Sequence, residues 1–202
     1  MKIIKKIELL VAQPVYNIFK RIELAVKQKR HNEFLKCFAS VGNFTCKCYD
    51  YRIIGAQYME IGNNFVVGKS FRMEAIDRHY DFLFHPKLKI GDDVRVEDYC
   101  HIACVENVEI GNGVLIASKV FISDHLHGRV NNEDTKLPPI RRPLYSKPVK
   151  IGDNVWIGDN VSILPGVTLG NNVIVGANAV VTKSFPDNAV IAGVPARVIS
   201  FL

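Results

Sequence analysis

Between residues 151 and 181 the chain repeats itself every six residues. The units are Ile151-Gly-Asp-Asn-Val-Trp, Ile157-Gly-Asp-Asn-Val-Ser, Ile163-Leu-Pro-Gly-Val-Thr, Leu169-Gly-Asn-Asn-Val-Ile, Val175-Gly-Ala-Asn-Ala-Val and Val181-Thr-Lys-Ser-Phe-Pro. An aliphatic residue opens each unit, and a second apolar residue (Val155, Val161, Val167, Val173, Ala179, Phe185) follows four places later. A helix returns its apolar face every three to four residues and a half-buried strand every two, so neither produces this pattern. A period of six is that of a hexapeptide β-helix, in which each unit is a short strand and one corner of a three-sided prism. The opening aliphatic points to the axis, and Gly or Asn takes the tight backbone of the corner. Three units close one coil. Stacked coils bury the aliphatics in columns, worth roughly 1.5–3 kcal/mol for each buried side chain. One coil cannot bury its own apolar face, so the fold requires several.

The same phase runs backwards through the chain. Units open at Ile61, Val67 and Met73, then at Ile90, Val96 and Ile102, and, after two extra residues, at Ile110, Ile116 and Ile122. Between them the period is lost over residues 78–86, which reads as a loop pushed out of one corner. It is lost again over 123–148, a polar stretch carrying Pro138, Pro139, Pro143 and Pro148. An interruption of that length in a regular solenoid marks a functional loop. Residues 40–60 read as a transition with irregular β character. The segment 187–199 reads as a closing strand and tail that leaves the prism. The expected architecture is therefore all-β, a parallel β-helix over residues 40–202 with an inserted loop at 123–148.

Residues 1–39 are of another kind. Ile3, Ile4, Ile7, Leu10 and Val11 fall on one helical face, and Pro14 breaks or kinks the pattern. Ile18, Phe19, Ile22, Ala25 and Val26 form a second face, continuing towards Phe34, Leu35 and Phe38, with Lys and Arg opposite. Two readings follow: a helical pair capping the open end of the β-helix, or an interfacial segment on the anionic inner membrane surface. Lys2, Lys5, Lys6, Lys20, Arg21, Lys27, Lys29 and Arg30 stand against Glu8 and Glu23, which accounts for the whole net charge of +6. The repeat region is neutral and carries no basic stripe, which argues against nucleic acid as a partner. No apolar run reaches the ~20 residues that span a bilayer, and no signal peptide is legible. Cys37, Cys46, Cys48, Cys100 and Cys104 match no CxxC or zinc-ligand spacing, as expected of reduced thiols in a cytoplasmic protein.

Asp153-Asn-Val-Trp-Ile-Gly, Ile163-Leu-Pro-Gly-Val-Thr-Leu-Gly, Gly176-Ala-Asn-Ala-Val-Val-Thr-Lys and Ala192-Gly-Val-Pro-Ala-Arg resemble the bacterial hexapeptide-repeat acetyltransferases, in the galactoside and maltose O-acetyltransferase branch. Ile122-Ser-Asp-His-Leu-His-Gly and Arg142-Pro-Leu-Tyr-Ser-Lys-Pro-Val are similar to the lipopolysaccharide and capsule O-acetyltransferases. The resemblance spans about residues 60–202. It implies a left-handed β-helix, a hand that the period alone does not fix. It also implies a homotrimer with acetyl-CoA in the groove between neighbouring prisms, no metal, and a saccharide acceptor belonging to a surface polysaccharide or its precursor.

Moving an acetyl group from a thioester to a hydroxyl needs a base, donors for the developing oxyanion and a means of holding both substrates. His125, just beyond the inward aliphatic Ile122, matches the family's catalytic His, and an imidazole suits the base role near neutral pH. His127 matches a second family His, and His101 on an earlier coil is a candidate for the acceptor side. Laid onto the sugar acetyltransferases, their sugar-holding Asn and Asp fall at Glu97 and Val105. Val105 has no side-chain hydrogen bond to offer, so Glu106 or His101 is the substitute. For the cofactor the resemblance implies the backbones of Asp159 and Ala177, together with Thr182, Lys183 and Arg197. The two cations are apt partners for phosphates. Ser200 stands where the family often has another Arg. Trp156, read as outward-facing, is either a wall of the cofactor groove or interface packing. Arg141 and Arg142 either clamp an anionic substrate or are solvated. Three further readings stay open: N-acetylation of an amino sugar, a zinc hydratase of the same fold built on His101, His125 and His127, and a membrane-docked scaffold.

Overall fold

The computed structural model describes residues 2–129 and 134–202, with the side chains of residues 2–11 and of Thr135 outside the description. The chain divides into two units after Cys37. The first holds one helix, Lys2–Leu35. A pair of helices interrupted at Pro14 was the expectation; instead Pro14 lies inside the single helix. The missing N–H removes one intrahelical bond, and the turns on either side carry the helix across it. The face expected of Ile3, Ile4, Ile7, Leu10 and Val11 lies outside the described side chains.

The second unit is a left-handed parallel β-helix built from sheets of six, eight and six strands. Each coil contributes one strand to each sheet. The residues that open the hexads fall into three columns, one per sheet. Ile61, Ile90, Ile110, Ile151 and Leu169 are in register in the first. Val67, Val96, Ile116, Ile157 and Val175 align in the second. Met73, Ile102, Ile122, Ile163 and Val181 align in the third. All are buried, none more than 4% exposed. Residues 40–54, expected to be transitional, are a complete extra coil: Ser40–Val41, Phe44–Cys46 and Tyr51–Ile54 extend the three sheets. Phe44 packs on Phe65 at 5.0 Å, so aromatic residues fill the axis where hexads are absent. At the other end Ala189–Gly193 continues the second sheet in parallel, and Ala196–Phe201 folds back on it antiparallel.

The corners explain the Gly and Asn. Asn64, Asp93, Asn154, Asn160, Asn172, Asn178 and Asn188 have φ between 56° and 62°, the left-handed region that short polar side chains tolerate. Between the first two sheets, side-chain oxygens climb the stack and accept from the backbone one coil below. Asn112 N–H donates to Asp153 at 2.7 Å, Asp153 N–H to Asn171 at 2.8 Å and Asn171 N–H to Asp187 at 2.8 Å. Gly152 sits under this ladder: a Cβ there would lie 2.7 Å from Asn171 Oδ1 and from the carbonyl carbon of Gly170.

The backbone cannot yield at that position, so Gly152→Ala should cost about 1–3 kcal/mol. Lys150→Ala, at an exposed outward site, should stay within about 0.5 kcal/mol. Urea denaturation of both variants checks the contrast.

Candidate active site

The third sheet sets up the site. Strand alternation carries Ile122 inward and Ser123 outward, and it then directs Asp124 inward, where a carboxylate has no water. Asp124 is fully buried. Its oxygens are met by three consecutive backbone amides: Val105 N–H at 3.0 and 3.1 Å, Glu106 N–H at 2.8 Å and Asn107 N–H at 2.9 Å. Donors aimed at an ionised oxygen are among the strong hydrogen bonds. Val105 is buried and its backbone N–H is engaged by Asp124, so it anchors the carboxylate and is not disposed to hold a sugar.

The next residue is His125. Its Nδ1 lies 2.9 Å from Asp124 Oδ1 and 3.3 Å from Ser123 Oγ. With Nδ1–H donated to the carboxylate, Nε2 carries the lone pair, and it has no partner among the described residues. Burial pushes the thiol of Cys100 up to about 11 and that of Cys104 further still, with Asp124 adding to the second. These cysteines are core thiols, not nucleophiles, and among the described residues all five are free of disulfides.

The residues 123–148 are not a bare loop. His125–His127 pairs antiparallel with Leu144–Ser146, so a hairpin leaves the prism carrying both imidazoles. Arg142 Nε donates to the Leu137 carbonyl at 2.9 Å, and its aliphatic stem packs at Gly128, which fixes the loop. Residues 78–86 are also a hairpin, Arg78–His79 with Phe82–Leu83. The two hairpins meet where the His79 ring lies 5.5 Å from that of His127, itself 6.5 Å from His125. Burial and the neighbouring imidazoles hold His127 below its ordinary range. His79 Nε2 is buried without a hydrogen-bond partner among the described residues.

His101 stands one coil below Phe121 in the third sheet, with its ring 5.4 Å from the Phe121 ring. Its Nε2 is 3.3 Å from Glu74 Oε2. Glu74 is buried, and Arg72 reaches the same oxygen at 2.7 Å. Glu106 is exposed through its side chain. Glu97 is apart from this group, at the end of a second-sheet strand in ion pairs with Arg95 and with Lys47 at 3.6 Å.

The residues expected to meet the cofactor fall on later coils. Gly158, Gly176 and Ala192 stack at the corner between the second and third sheets, bringing Asp159 and Ala177 together with the hairpin that carries Arg197. A Cβ on Gly158 would come within 2.7 Å of the Ala177 nitrogen, so this corner is kept narrow. Trp156 is outward and 52% exposed on the second sheet. Thr182, Lys183 and Arg197 are exposed.

Two carboxylates escaped the sequence reading. Asp124 had a signal, an acid in an inward phase position next to His. Glu74 had a weaker one, because its burial follows from a strand running beyond its hexad, Phe71–Ala75. Among the described residues no group of three His, Cys, Asp or Glu side chains is disposed to hold a metal ion. A cavity of about 450 Å³ opens on the outer face of the first sheet between Tyr58, Pro86 and Glu109, and it includes none of the expected site residues.

Residues 148–183 match the family described as bacterial transferase hexapeptide (six repeats). The chain is 48% identical over 145 residues, 70% of each chain, to WbbJ of Escherichia coli K12, a protein assigned to O-acetyl transfer in lipopolysaccharide biosynthesis. A maltose O-acetyltransferase from Clostridium difficile 630 superposes with a TM-score of 0.57 at 30% identity, covering 87% of this chain and 75% of that one. AntD, an N-acyltransferase from Bacillus cereus solved with dTDP-4-amino-4,6-dideoxyglucose and coenzyme A, shares the fold at a TM-score of 0.69 and 23% identity. It covers 86% of this chain and 88% of its own.

The Glu74 cluster carries a pH signature. Burial raises the Glu74 carboxyl, but the hydrogen bond and charge of Arg72, with His101 behind them, outweigh it and hold it below its usual 4.5. Burial first, then Arg72, holds His101 below 6.5, with Glu74 pulling the other way. Both groups bind protons more readily unfolded than folded, so both lose stability on acidification. His101 should erode it as pH falls from 6.5, and Glu74 as pH falls from 4.5 through its folded value. In denaturant titrations from pH 7 to 3, wild type should exceed Glu74→Gln by a margin that closes in the lower window. A margin constant with pH would contradict this.

Proposed function

We propose a reaction for this chain on one premise: it belongs to the bacterial hexapeptide-repeat transferases, as an acetyltransferase. The reading is O-acetylation of a saccharide, a surface polysaccharide or its precursor, with His125 as general base. The observation that carries it is the 2.9 Å bond from His125 Nδ1 to Asp124. That bond selects the tautomer whose Nε2 can take a proton from an attacking hydroxyl, and the fixed carboxylate stabilises the imidazolium that results. The same Nε2–H then serves as the acid for the departing thiolate. His79, His101, Glu106 and His127 line the acceptor side in this reading, and Glu97 is the outlying member of that set.

Acetyl-CoA supplies the acetyl group as a thioester. Its pantetheine runs, in this reading, along the corner where Gly158, Gly176 and Ala192 stack, past the backbones of Asp159 and Ala177. Thr182, Lys183 and Arg197 stand ready for its polar and phosphate groups, and Trp156 supplies an aromatic wall. A homotrimer in the cytoplasm is the assembly we infer. Exposed Leu115, Phe121, Trp156 and Phe201 on the outer faces favour burial against further copies. The relatives that act in lipopolysaccharide biosynthesis and on maltose favour a saccharide acceptor. The AntD complex, with its amino sugar, is the observation that keeps N-acetylation as the second reading. A zinc hydratase is disfavoured because two of its three imidazoles are engaged by carboxylates, His125 by Asp124 and His101 by Glu74.

The helix Lys2–Leu35 is the segment we assign to the inner membrane surface. Val15, Ile18, Phe19, Ile22 and Val26 form one stripe and are each 45–67% exposed, with Lys20, Arg21 and Lys27 on the other faces. Among the described residues no helix is long and apolar enough to cross a membrane, and an interfacial helix needs only such a stripe beside cations.

His125→Ala should lower kcat/KM by about 10²–10⁴-fold, and Asp124→Asn should do the same by presenting the wrong tautomer. Both are measured as CoA release with a panel of saccharide acceptors, and a loss below about threefold for His125→Ala would remove the base assignment. Amino-sugar acceptors in the same panel separate N- from O-acetylation. For the helix, wild type should sediment with phosphatidylglycerol vesicles at low salt and release at high salt. Phe19→Glu/Ile22→Glu should stay in the supernatant.

A further inference from the structure

Below His125 the outer face of the third sheet carries a row of which the reading above uses only His101. Arg52, Arg72, His101 and Phe121 are in register on four successive strands. Phe121 begins the strand that leads into Asp124 and His125. Adjacent strands are about 4.8 Å apart, so Arg72 and Arg52 lie two and three spacings, about 10–14 Å, down the row from Phe121.

Both guanidiniums are tied to one buried carboxylate. Glu74 accepts from Arg72 Nη2 at 2.7 Å and pairs with Arg52 Nε at 3.7 Å, while His101 Nε2 stands 3.3 Å away. Among the described residues Glu74 is the acid with which these two arginines pair. Two permanent cations against one anion leave a positive charge over, because His101, desolvated and beside Arg72, is kept neutral. The arginine side chains are 46% and 67% exposed although Glu74 is 6% exposed. Each guanidinium has five N–H donors, so most of them face outward. A carboxylate at the base of a guanidinium pair limits its rotamers and presents the remaining donors as a fixed fork.

We propose that Arg52 and Arg72 bind the diphosphate of the acceptor, and that the acceptor is therefore a diphosphate-linked sugar. The inference rests on the acetyltransferase reading above and names its substrate class. With the reacting hydroxyl at His125 Nε2, the anomeric end of a hexose and the diphosphate beyond it extend down this row. The cofactor corner at Asp159, Ala177 and Arg197 lies on later coils, towards the opposite end of the stack, so its phosphates do not compete for Arg52 and Arg72. The linked group beyond the diphosphate is a nucleoside or a polyprenyl chain, and both present the same two phosphates to the row.

The test is calorimetric, on the full chain saturated with coenzyme A, so that the cofactor's own phosphate contacts are filled. UDP and farnesyl diphosphate are titrated separately. One of them should bind wild type, and Arg52→Gln and Arg72→Gln should each weaken that binding about tenfold, with coenzyme A affinity unchanged. Preference for UDP identifies a nucleotide-linked acceptor, and preference for farnesyl diphosphate a lipid-linked one. Arg52→Gln keeps the Arg72–Glu74 bond, so it decides the matter if Arg72→Gln does not fold. Absence of binding by both probes to the coenzyme-loaded wild type, or binding indifferent to Arg52→Gln, overturns the proposal. Failure of the acetyltransferase reading has a separate sign, no binding of coenzyme A.

Discussion

Close stacking is what the rest of this molecule depends on. The coils pack so tightly at their corners that a single methyl on Gly152 would meet backbone and side-chain atoms of the coil beyond. Inside, aliphatic side chains from the same position of successive hexad coils sit on one another in buried columns. Dispersion and burial act over the whole column, and the register cannot slip without moving every inward residue to an outward place. The scaffold is therefore rigid where it is regular, and variation is confined to places where the chain leaves the prism.

That rigidity gives Asp124 its meaning. An inward carboxylate in such a column is tolerable only if fully hydrogen-bonded, and the turn at Val105, Glu106 and Asn107 supplies three amides for it. The carboxylate is thereby anchored to two coils at once, and it in turn anchors the imidazole that follows. His125 sits on a hairpin, an element mobile in many proteins, yet its ring is referenced to the most immobile part of the fold. Preorganisation of this kind is what makes a general base effective.

Much of this architecture is legible in the chain. The hexads beginning at Ile61 and ending at Val181 map one to one onto the inward columns, because a period of six leaves the backbone little choice. The extra coil over 40–54 was hidden because its spacing breaks the period: Val41 and Cys46, five residues apart, are in register with Ile61 and Val67, six apart. The hairpin at 125–146 was hidden because its pairing joins residues distant in sequence, with Ser146 opposite His125, and the one at 78–83 because strands of two residues carry no readable period. At the site, His125 was found through a motif. Its orienting acid was readable only by carrying the strand's alternation one residue past the end of the repeat. The Arg52–Arg72–Glu74 cluster needed the register between coils, which no one-dimensional pattern supplies.

The last strand has a consequence for the length of the molecule. A parallel solenoid offers at each end a row of unsatisfied amides and carbonyls, the template on which another copy can add and a fibre begin. Here Ala196–Phe201 runs against the direction of every other strand in its sheet. An incoming coil would find the polarity reversed along that sheet, with hydrogen-bond spacing suited to an antiparallel partner. Growth by repetition is checked there by a change of direction, and the number of coils becomes a property of one chain instead of an open series.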